Sequence, residues 1–102
     1  MKRIAYTVIA TLPDSKTADE YVQWLENGHV DDVIEHGAHS GVIVRVVEPS
    51  APIQVETRYI FSTTAMFDRY VKQFSPALRD EGLQKFPPER GVTFERRIGE
   101  VI

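Results

Sequence analysis

The sequence predicts an α+β domain in which two main helices cover one face of a four-stranded antiparallel sheet. Two observations predict this class. Four segments are rich in β-branched and aromatic residues, and the two stretches between them carry helix-capping signals and apolar residues at helical spacing. The segments follow one another as strand, helix, strand, strand, helix, strand, and this order sets the topology.

The first strand and the first helix occupy the first third of the chain. Residues 4–11 have the β-branched and aromatic composition of a strand. Thr17 and Glu20 then have the spacing of a capping box, in which each side chain satisfies a free backbone N–H at the start of a helix. Asn27 and Gly28 are expected to interrupt that helix, because both residue types favour turns.

A β-hairpin is predicted next. Residues 42–48 and 53–61 read as strands, and residues 49–52, which include two prolines, separate them. A loop this short joins neighbouring antiparallel strands. If the strands pair symmetrically about the turn, Arg45 lies opposite Glu56 and the two form a cross-strand ion pair.

The second helix and the last strand complete the order. One of the threonines at 63–64 can cap the helix. Ser75 and Pro76 are expected to begin a further short helix, because proline suits the first helical position, and Gly82 to close it. Residues 92–98 form the last strand. Two right-handed crossovers on one antiparallel sheet give a ferredoxin-like βαββαβ sandwich.

Composition excludes several function classes. The 102 residues suit a single domain spanning 1–102, and the formal net charge of −3 disfavours a nucleic-acid binder, which normally presents a basic face. The lack of cysteine excludes thiolate chemistry and fits a reducing cytoplasm. No segment approaches the roughly 20 apolar residues of a membrane helix. No phosphate-binding loop occurs, and His29 and His36 would stand roughly 10 Å apart in a helix, so neither a cofactor nor a metal site is predicted.

Alternation of side chains along the strands divides the predicted sheet into two faces. One set is apolar and is expected to lie under the helices: Tyr6, Val8, Val42, Val44, Val46, Val55, Tyr59, Phe61, Val92, Phe94 and Ile98. The other set mixes apolar side chains with charges of both signs: Thr7, Ile9, Thr11, Ile43, Arg45, Val47, Gln54, Glu56, Arg58, Ile60, Thr93, Glu95 and Arg97. This second face either meets solvent or is covered by a second subunit, with its apolar side chains packed across a homodimer.

One histidine and two tyrosines are the candidate catalytic residues. His29 continues the inward stripe of the first helix, and an imidazole can transfer protons near neutral pH. Tyr6 and Tyr59 share the helix-facing set and could point into a pocket with His29 between them. Trp24, at the edge of the helix stripe, could stack on a ligand. The alternatives are a histidine hydrogen-bonded at the helix bend, tyrosines that only fill the core, and a tryptophan packed on the sheet rim.

Three arginines of the second face are candidate ligand-binding residues. If Arg45, Arg58 and Arg97 are buried together with only Glu56 and Glu95 as counter-ions, they favour a carboxylate or phosphate guest. The alternative is a closed network of arginine and glutamate that holds no guest.

Two parts of the sequence resemble the dimeric α+β barrel superfamily. The segment 24–37, with a tryptophan, then a histidine and a closing glycine, resembles the first helix of many members. The second half resembles a bacterial family of short uncharacterised proteins in that superfamily, through Tyr70, Phe74, Pro76, Leu78, Arg79, Gly82, Leu83, Phe86, Phe94 and Arg96. The resemblance implies a dimer whose sheets face each other. Members of the superfamily include cofactor-independent monooxygenases, haem-degrading enzymes and isomerases, and in many a small ligand sits between sheet and helices.

Together these patterns predict a homodimer that binds a small organic, anionic molecule and binds neither nucleic acid nor membrane. The enzymatic hypothesis is a cofactor-independent oxygenase or isomerase, in which His29 transfers a proton and Arg58 holds an anion. Tyr6 or Tyr59 would orient the substrate. The alternative is a non-enzymatic binding or interaction module whose polar sheet face is only an interface. A pocket of several hundred Å³ lined by His29 and a tyrosine would favour the enzyme.

Overall fold

The sheet has the predicted ferredoxin-like topology. The structure is a computed structural model that describes residues 2–102. Its strands are β1 (Ile4–Leu12), β2 (Ser40–Arg45), β3 (Ile53–Phe61) and β4 (Thr93–Glu100). In the described part of the chain they form one four-stranded antiparallel sheet with the order β2-β3-β1-β4. The predicted fold class is therefore confirmed.

Four helices pack against one face of this sheet. They are α1 (Ser15–Trp24), α2 (Val30–Glu35), α3 (Thr64–Gln73) and α4 (Ser75–Lys85). A π-helical turn (Leu25–His29) joins α1 to α2, and a 3₁₀ turn (Pro88–Arg90) precedes β4. The first predicted helix thus consists of two segments, and the further short helix predicted to begin at Ser75 is α4. None of the helices within residues 2–102 is long and apolar enough to cross a membrane.

The first helix begins at Ser15, and Asp14 caps it in place of the predicted Thr17. The Asp14 carboxylate accepts a hydrogen bond of 2.7 Å from the backbone N–H of Thr17, which is itself buried in the first turn. An anion suits this position because the free N–H groups give the helix start a partial positive charge. The predicted interruption at Asn27 and Gly28 is confirmed, since Gly28 has a φ of 134°, a conformation that glycine adopts readily.

The register of β2 differs by one residue from the symmetrical hairpin. Arg45 lies opposite Val55, not Glu56, and Ile43 lies opposite Thr57. The connection between the strands is longer than predicted, because β2 ends at Arg45 and not at residue 48. Since side chains alternate with a period of two, this single step exchanges the two faces of the strand. The predicted assignment of β2 side chains and the predicted Arg45–Glu56 ion pair are therefore wrong.

The exchange changes which apolar side chains lie on the face opposite the helices, here called the outer face. Ile43 packs against the core under the helices, and Val47 lies beyond the strand with 81% of its surface exposed. The large apolar residues of the outer face are therefore Ile9, Val42, Val44 and Ile60. They lie on three adjacent strands, and Glu56 and Arg58 of β3 separate Ile9 from Val42 and Val44.

One continuous core fills the space between the sheet and the helices. Its largest fully buried side chains include Tyr21, Tyr59, Phe61 and Phe86, and aromatic rings meet edge to face, as Tyr21 and Phe86 do at 5.3 Å between centroids. The α4 helix continues past Gly82, where an end was predicted. A Cβ at Gly82 would stand 3.3 Å from the Trp24 ring, so glycine allows the indole to approach the helix backbone.

Candidate functional site

A small cavity lies between the helix-facing surface of the sheet and the helices, and it is called the central cavity below. Its volume is about 40 Å³, room for a few water molecules at most. The wall includes Tyr6, Tyr59 and Phe94 from the sheet, Trp24 and His29 from the first helical segment, and Leu78 from α4. Four of the sequence-predicted site residues, Tyr6, Trp24, His29 and Tyr59, therefore meet in one place.

His29 ends the π-helical turn with its ring against Trp24. The two ring centroids are 4.0 Å apart and the planes are inclined by 23°, which is a stacked arrangement. Its Nδ1 atom is buried and has no hydrogen-bond partner among the described residues. Burial lowers the pKa of His29 to about 4, and the nearby Asp32 carboxylate opposes this only in part. The imidazole is consequently neutral at pH 7 and available as an acceptor.

Tyr59, which lines the same cavity, carries a second unpartnered polar atom. Only 2% of its surface is exposed, and its hydroxyl has no hydrogen-bond partner within residues 2–102. Burial raises the pKa of Tyr59, and the neighbouring tyrosines raise it further. Thr57 is close enough to oppose this increase in part, but the two hydroxyls do not reach hydrogen-bond geometry. The Tyr59 hydroxyl is therefore protonated at neutral pH, and its O–H donates no hydrogen bond within residues 2–102.

Tyr6 contacts two other residues of the cavity wall, Tyr59 and Arg96. Its ring stacks on Tyr59 at 6.1 Å between centroids. Its hydroxyl oxygen accepts a hydrogen bond of 3.1 Å from Nε of Arg96 in β4. Arg96 and Arg79 both line the cavity, and neither was predicted as a site residue. The signal for Arg96 was present in the sequence, because it alternates with Phe94 on the helix-facing side of the last strand.

The three arginines predicted to bind a ligand lie elsewhere. Arg58 and Arg97 are on the outer face, where each pairs with a carboxylate two residues away in its own strand. The Arg58–Glu56 contact is 2.8 Å and the Arg97–Glu95 contact is 3.7 Å. These four side chains border a shallow, open depression of about 380 Å³. An anion held by Arg58 is therefore separated from His29 by the sheet.

Arg45 is apart from the other two arginines because of the register of β2. It lies at the sheet edge on the helix-facing side and pairs with Asp19 of α1 at 3.0 Å. The expectation that Arg45, Arg58 and Arg97 share one site is wrong, since the first lies on the opposite face from the others.

The histidines do not form a metal centre in the described part of the chain. No group of three histidine, cysteine, aspartate or glutamate side chains there is arranged to hold a metal ion. Nδ1 of His36 donates a hydrogen bond of 2.7 Å to the Asp32 carbonyl, and its ring contacts Phe74. His29 instead faces aromatic and aliphatic side chains, which supply no metal ligands.

Solved structures share this fold at low sequence identity. A dimeric ferredoxin-like protein from an uncultured marine organism has a TM-score of 0.75 and 14% identity, with 100% of this chain and 97% of that chain covered. An ethd family protein from Bacillus halodurans has a TM-score of 0.70 and 14% identity, with 100% of each chain covered. SnoaB, a cofactor-independent oxygenase from Streptomyces nogalater, has a TM-score of 0.66 and 11% identity, with 100% and 95% covered.

Sequence comparison identifies the family. A search of the curated proteins gave no match. Residues 3–101 match the family described as a domain of unknown function, DUF4286. This match spans nearly the whole chain, from the start of β1 to the end of β4, and so includes every residue of the central cavity. The chain belongs to the DUF4286 family.

Proposed function

We propose that the central cavity binds a small organic molecule and that His29 accepts a proton from it. The observation that carries this proposal is the pair of buried, unpartnered polar atoms, Nδ1 of His29 and the hydroxyl of Tyr59, which belong to two residues that line the same cavity among residues 2–102. An unsatisfied buried polar group costs about 1–3 kcal/mol. A ligand that donates to His29 and accepts from Tyr59 satisfies both groups at once.

The reaction supported by this arrangement is proton abstraction, the first step of a cofactor-independent oxygenase or of an isomerase. A neutral imidazole can remove an acidic C–H proton, and the negative charge that forms beside it stabilises the imidazolium. Tyr59 can donate a hydrogen bond to the oxygen on which this charge collects. SnoaB, which has the same fold, is described as a cofactor-independent oxygenase. Arg58 has no part in this reaction, because it lies on the outer face.

Entry of a ligand requires movement of α4. The cavity of about 40 Å³ is far smaller than the roughly 300–1,000 Å³ of typical ligand pockets. Its cover is thin, because the buried residues of α4 are only Ser75, Leu78 and Gly82. Leu83 lines the cavity and is 45% exposed, so an outward shift of α4 would open it to solvent.

The test follows deuterium uptake by 2-tetralone, an aromatic ketone with an acidic C–H group, in D₂O. The protein should accelerate exchange, and His29→Gln should reduce the acceleration by at least about 100-fold, the low end for general-base catalysis. His39→Gln changes an exposed histidine outside the cavity and is the matched control, which should keep the full rate. Equal acceleration by the parent protein and His29→Gln would exclude His29 as the base.

A non-enzymatic binding module is the second candidate, and the small volume of the cavity favours it. The chain contains one tryptophan, so a ¹H–¹⁵N spectrum has a single indole signal, from Trp24 in the cavity wall. A shift of this signal with 2-tetralone, without deuterium uptake, would assign binding and no proton transfer. If 2-tetralone caused neither a shift of this signal nor deuterium uptake, both candidates would be contradicted.

We propose further that two copies pair through their outer faces. Val42 is 55% exposed, and it lies with Ile9, Val44 and Ile60 on a sheet face that no helix covers within residues 2–102. The similar protein from an uncultured marine organism is described as dimeric. Native mass spectrometry should give twice 11.6 kDa. A mass of 11.6 kDa at micromolar concentration would refute the pairing.

A further inference from the structure

Two arginines stand at the mouth of the central cavity. Arg79 projects from α4 and Arg96 from β4, and both line the cavity as well as an open depression of about 410 Å³ that adjoins it. Neither makes an ion pair with any of the described residues, whereas Arg45, Arg58, Arg90 and Arg97 each do. Two positive charges without an ion-pair partner therefore stand where a ligand would enter.

The outer face also carries two arginines, but there each arginine is paired with a glutamate. The outer depression contains two arginines and two glutamates, Glu56 and Glu95, which neutralise each other. No aspartate or glutamate in residues 2–102 lines the central cavity or the depression at its mouth. Two guanidinium groups without a nearby carboxylate repel each other and are stabilised when an anion binds between them.

Arg96 is held in position for such an anion. Its Nε donates to the Tyr6 hydroxyl at 3.1 Å, which leaves both terminal nitrogens free to form a bidentate pair with a carboxylate. The positive charge also reaches into the cavity: burial raises the pKa of Tyr70 to about 12, and Arg79 and Arg96 both act against this increase. The two side chains are therefore close to the same cavity wall.

The rest of the wall is suited to a planar ring. Trp24 stacks on His29 at one end, and Phe94 lies beside Arg96 on the same face of β4. Flat aromatic surfaces favour a flat aromatic ligand. His29, whose Nδ1 is unpartnered, lines the cavity, and the arginines lie at its mouth, so a matching ligand has a hydrogen-bond donor at one end and an anion at the other.

We propose that the natural ligand is an aromatic carboxylate, whose ring occupies the central cavity after an outward shift of α4 and whose carboxylate binds between Arg79 and Arg96. This proposal rests on the proposed function and identifies the class of its ligand. It replaces the sequence-based assignment of the anion to Arg58, and it places the anion on the same side of the sheet as His29.

The test compares 4-hydroxybenzoate with 4-hydroxybenzamide, which differ in the charged group alone, by titration of the Trp24 indole signal in the full chain. The benzoate should bind at least about tenfold more tightly, the factor expected for one charge-assisted interaction. Arg79→Gln and Arg96→Gln should each remove most of this preference for the benzoate over the benzamide. Both side chains are exposed, so both variants are expected to fold, and dispersion of the amide signals checks this.

Arg58→Gln, on the outer face, is the matched control and should leave the preference intact. Equal affinity for the two compounds would overturn the carboxylate assignment and leave the proposed binding site in place. Loss of the preference in Arg58→Gln, but not in Arg79→Gln or Arg96→Gln, would also overturn it, because the anion would then bind to the other face. If neither compound shifts the Trp24 signal, this inference is overturned, and the titration with 2-tetralone decides separately whether the proposed function fails as well.

Discussion

The free energy of unfolding of the parent protein should decrease in acid because of His29. Replacement of His29 by glutamine should abolish this part of the decrease. In the folded protein the pKa of His29 is lowered from 6.5 to about 4 by burial. The unfolded chain therefore binds a proton below about pH 6.5, whereas the folded protein does so only below about pH 4. The unfolded state holds more protons in this window, so the free energy of unfolding must decrease as the pH falls through it.

The size of the effect follows from the same two pKa values. At 1.36 kcal/mol for each unit of pKa, the difference between 6.5 and about 4 corresponds to about 3 kcal/mol. The contribution is fully present above about pH 6.5 and is lost by about pH 4. This is a substantial part of the roughly 5–15 kcal/mol that stabilises a typical domain.

The assay is urea unfolding at a series of pH values between about 7 and 4, at one fixed protein concentration because the protein is expected to associate. Carboxylates also titrate in this range, so the quantity to compare is the difference between the parent protein and His29→Gln at each pH. His39→Gln, at an exposed position, should follow the parent protein. If the free energy of unfolding changed with pH in the same way for the parent protein and His29→Gln, the reasoning would be refuted. His29 would then have the same pKa in the folded and the unfolded state.

Three further substitutions test other parts of the structure. Tyr59→Phe should leave the free energy of unfolding unchanged or raise it by about 1 kcal/mol, since its hydroxyl has no partner among the described residues; a loss above about 2 kcal/mol in urea unfolding would reveal a hydrogen bond that the structure lacks. Gly41→Ala should destabilise by about 1–3 kcal/mol, because its Cβ would stand 2.9 Å from Val30 and 3.0 Å from Tyr59; an unchanged urea midpoint would contradict the assigned register of β2. Val44→Glu should convert the expected dimer to a monomer of 11.6 kDa in native mass spectrometry, and a dimer that persists at low micromolar concentration would place the interface elsewhere.

Local signals were sufficient for most of the elements. Asn27 and Gly28 predicted the bend between α1 and α2 because glycine adopts a positive φ readily. The period of the strands placed Tyr6 and Tyr59 under the helices, and the helical period placed His29 on the inward side. These residues meet in one cavity because two crossover connections bring the first helix over β1 and β3. Their chemical roles stay predictions.

The faces of β2 could not be deduced from the sequence. Residues 42–47 are almost continuously apolar, so neither face is marked by alternation, and only the pairing with β3 decides between them. The pairing depends on the length of the connection between the strands, which is set by where β2 leaves the sheet. The misassigned positions of Ile43 and Arg45 follow from this one step.

The sequence by itself determined the order of the elements, the bend before His29 and the inward set of aromatic side chains, because each depends on the chemistry of residues close together in the chain. The tertiary structure decided the rest. Arg79 lies on α4, whose polar and apolar residues are not separated onto opposite sides, so the local sequence does not show which side faces the sheet. Its approach to Arg96, like the separation of both from Arg58, arises from the packing of segments distant in sequence, since contacts of that kind are selected by the shape and burial of the whole core.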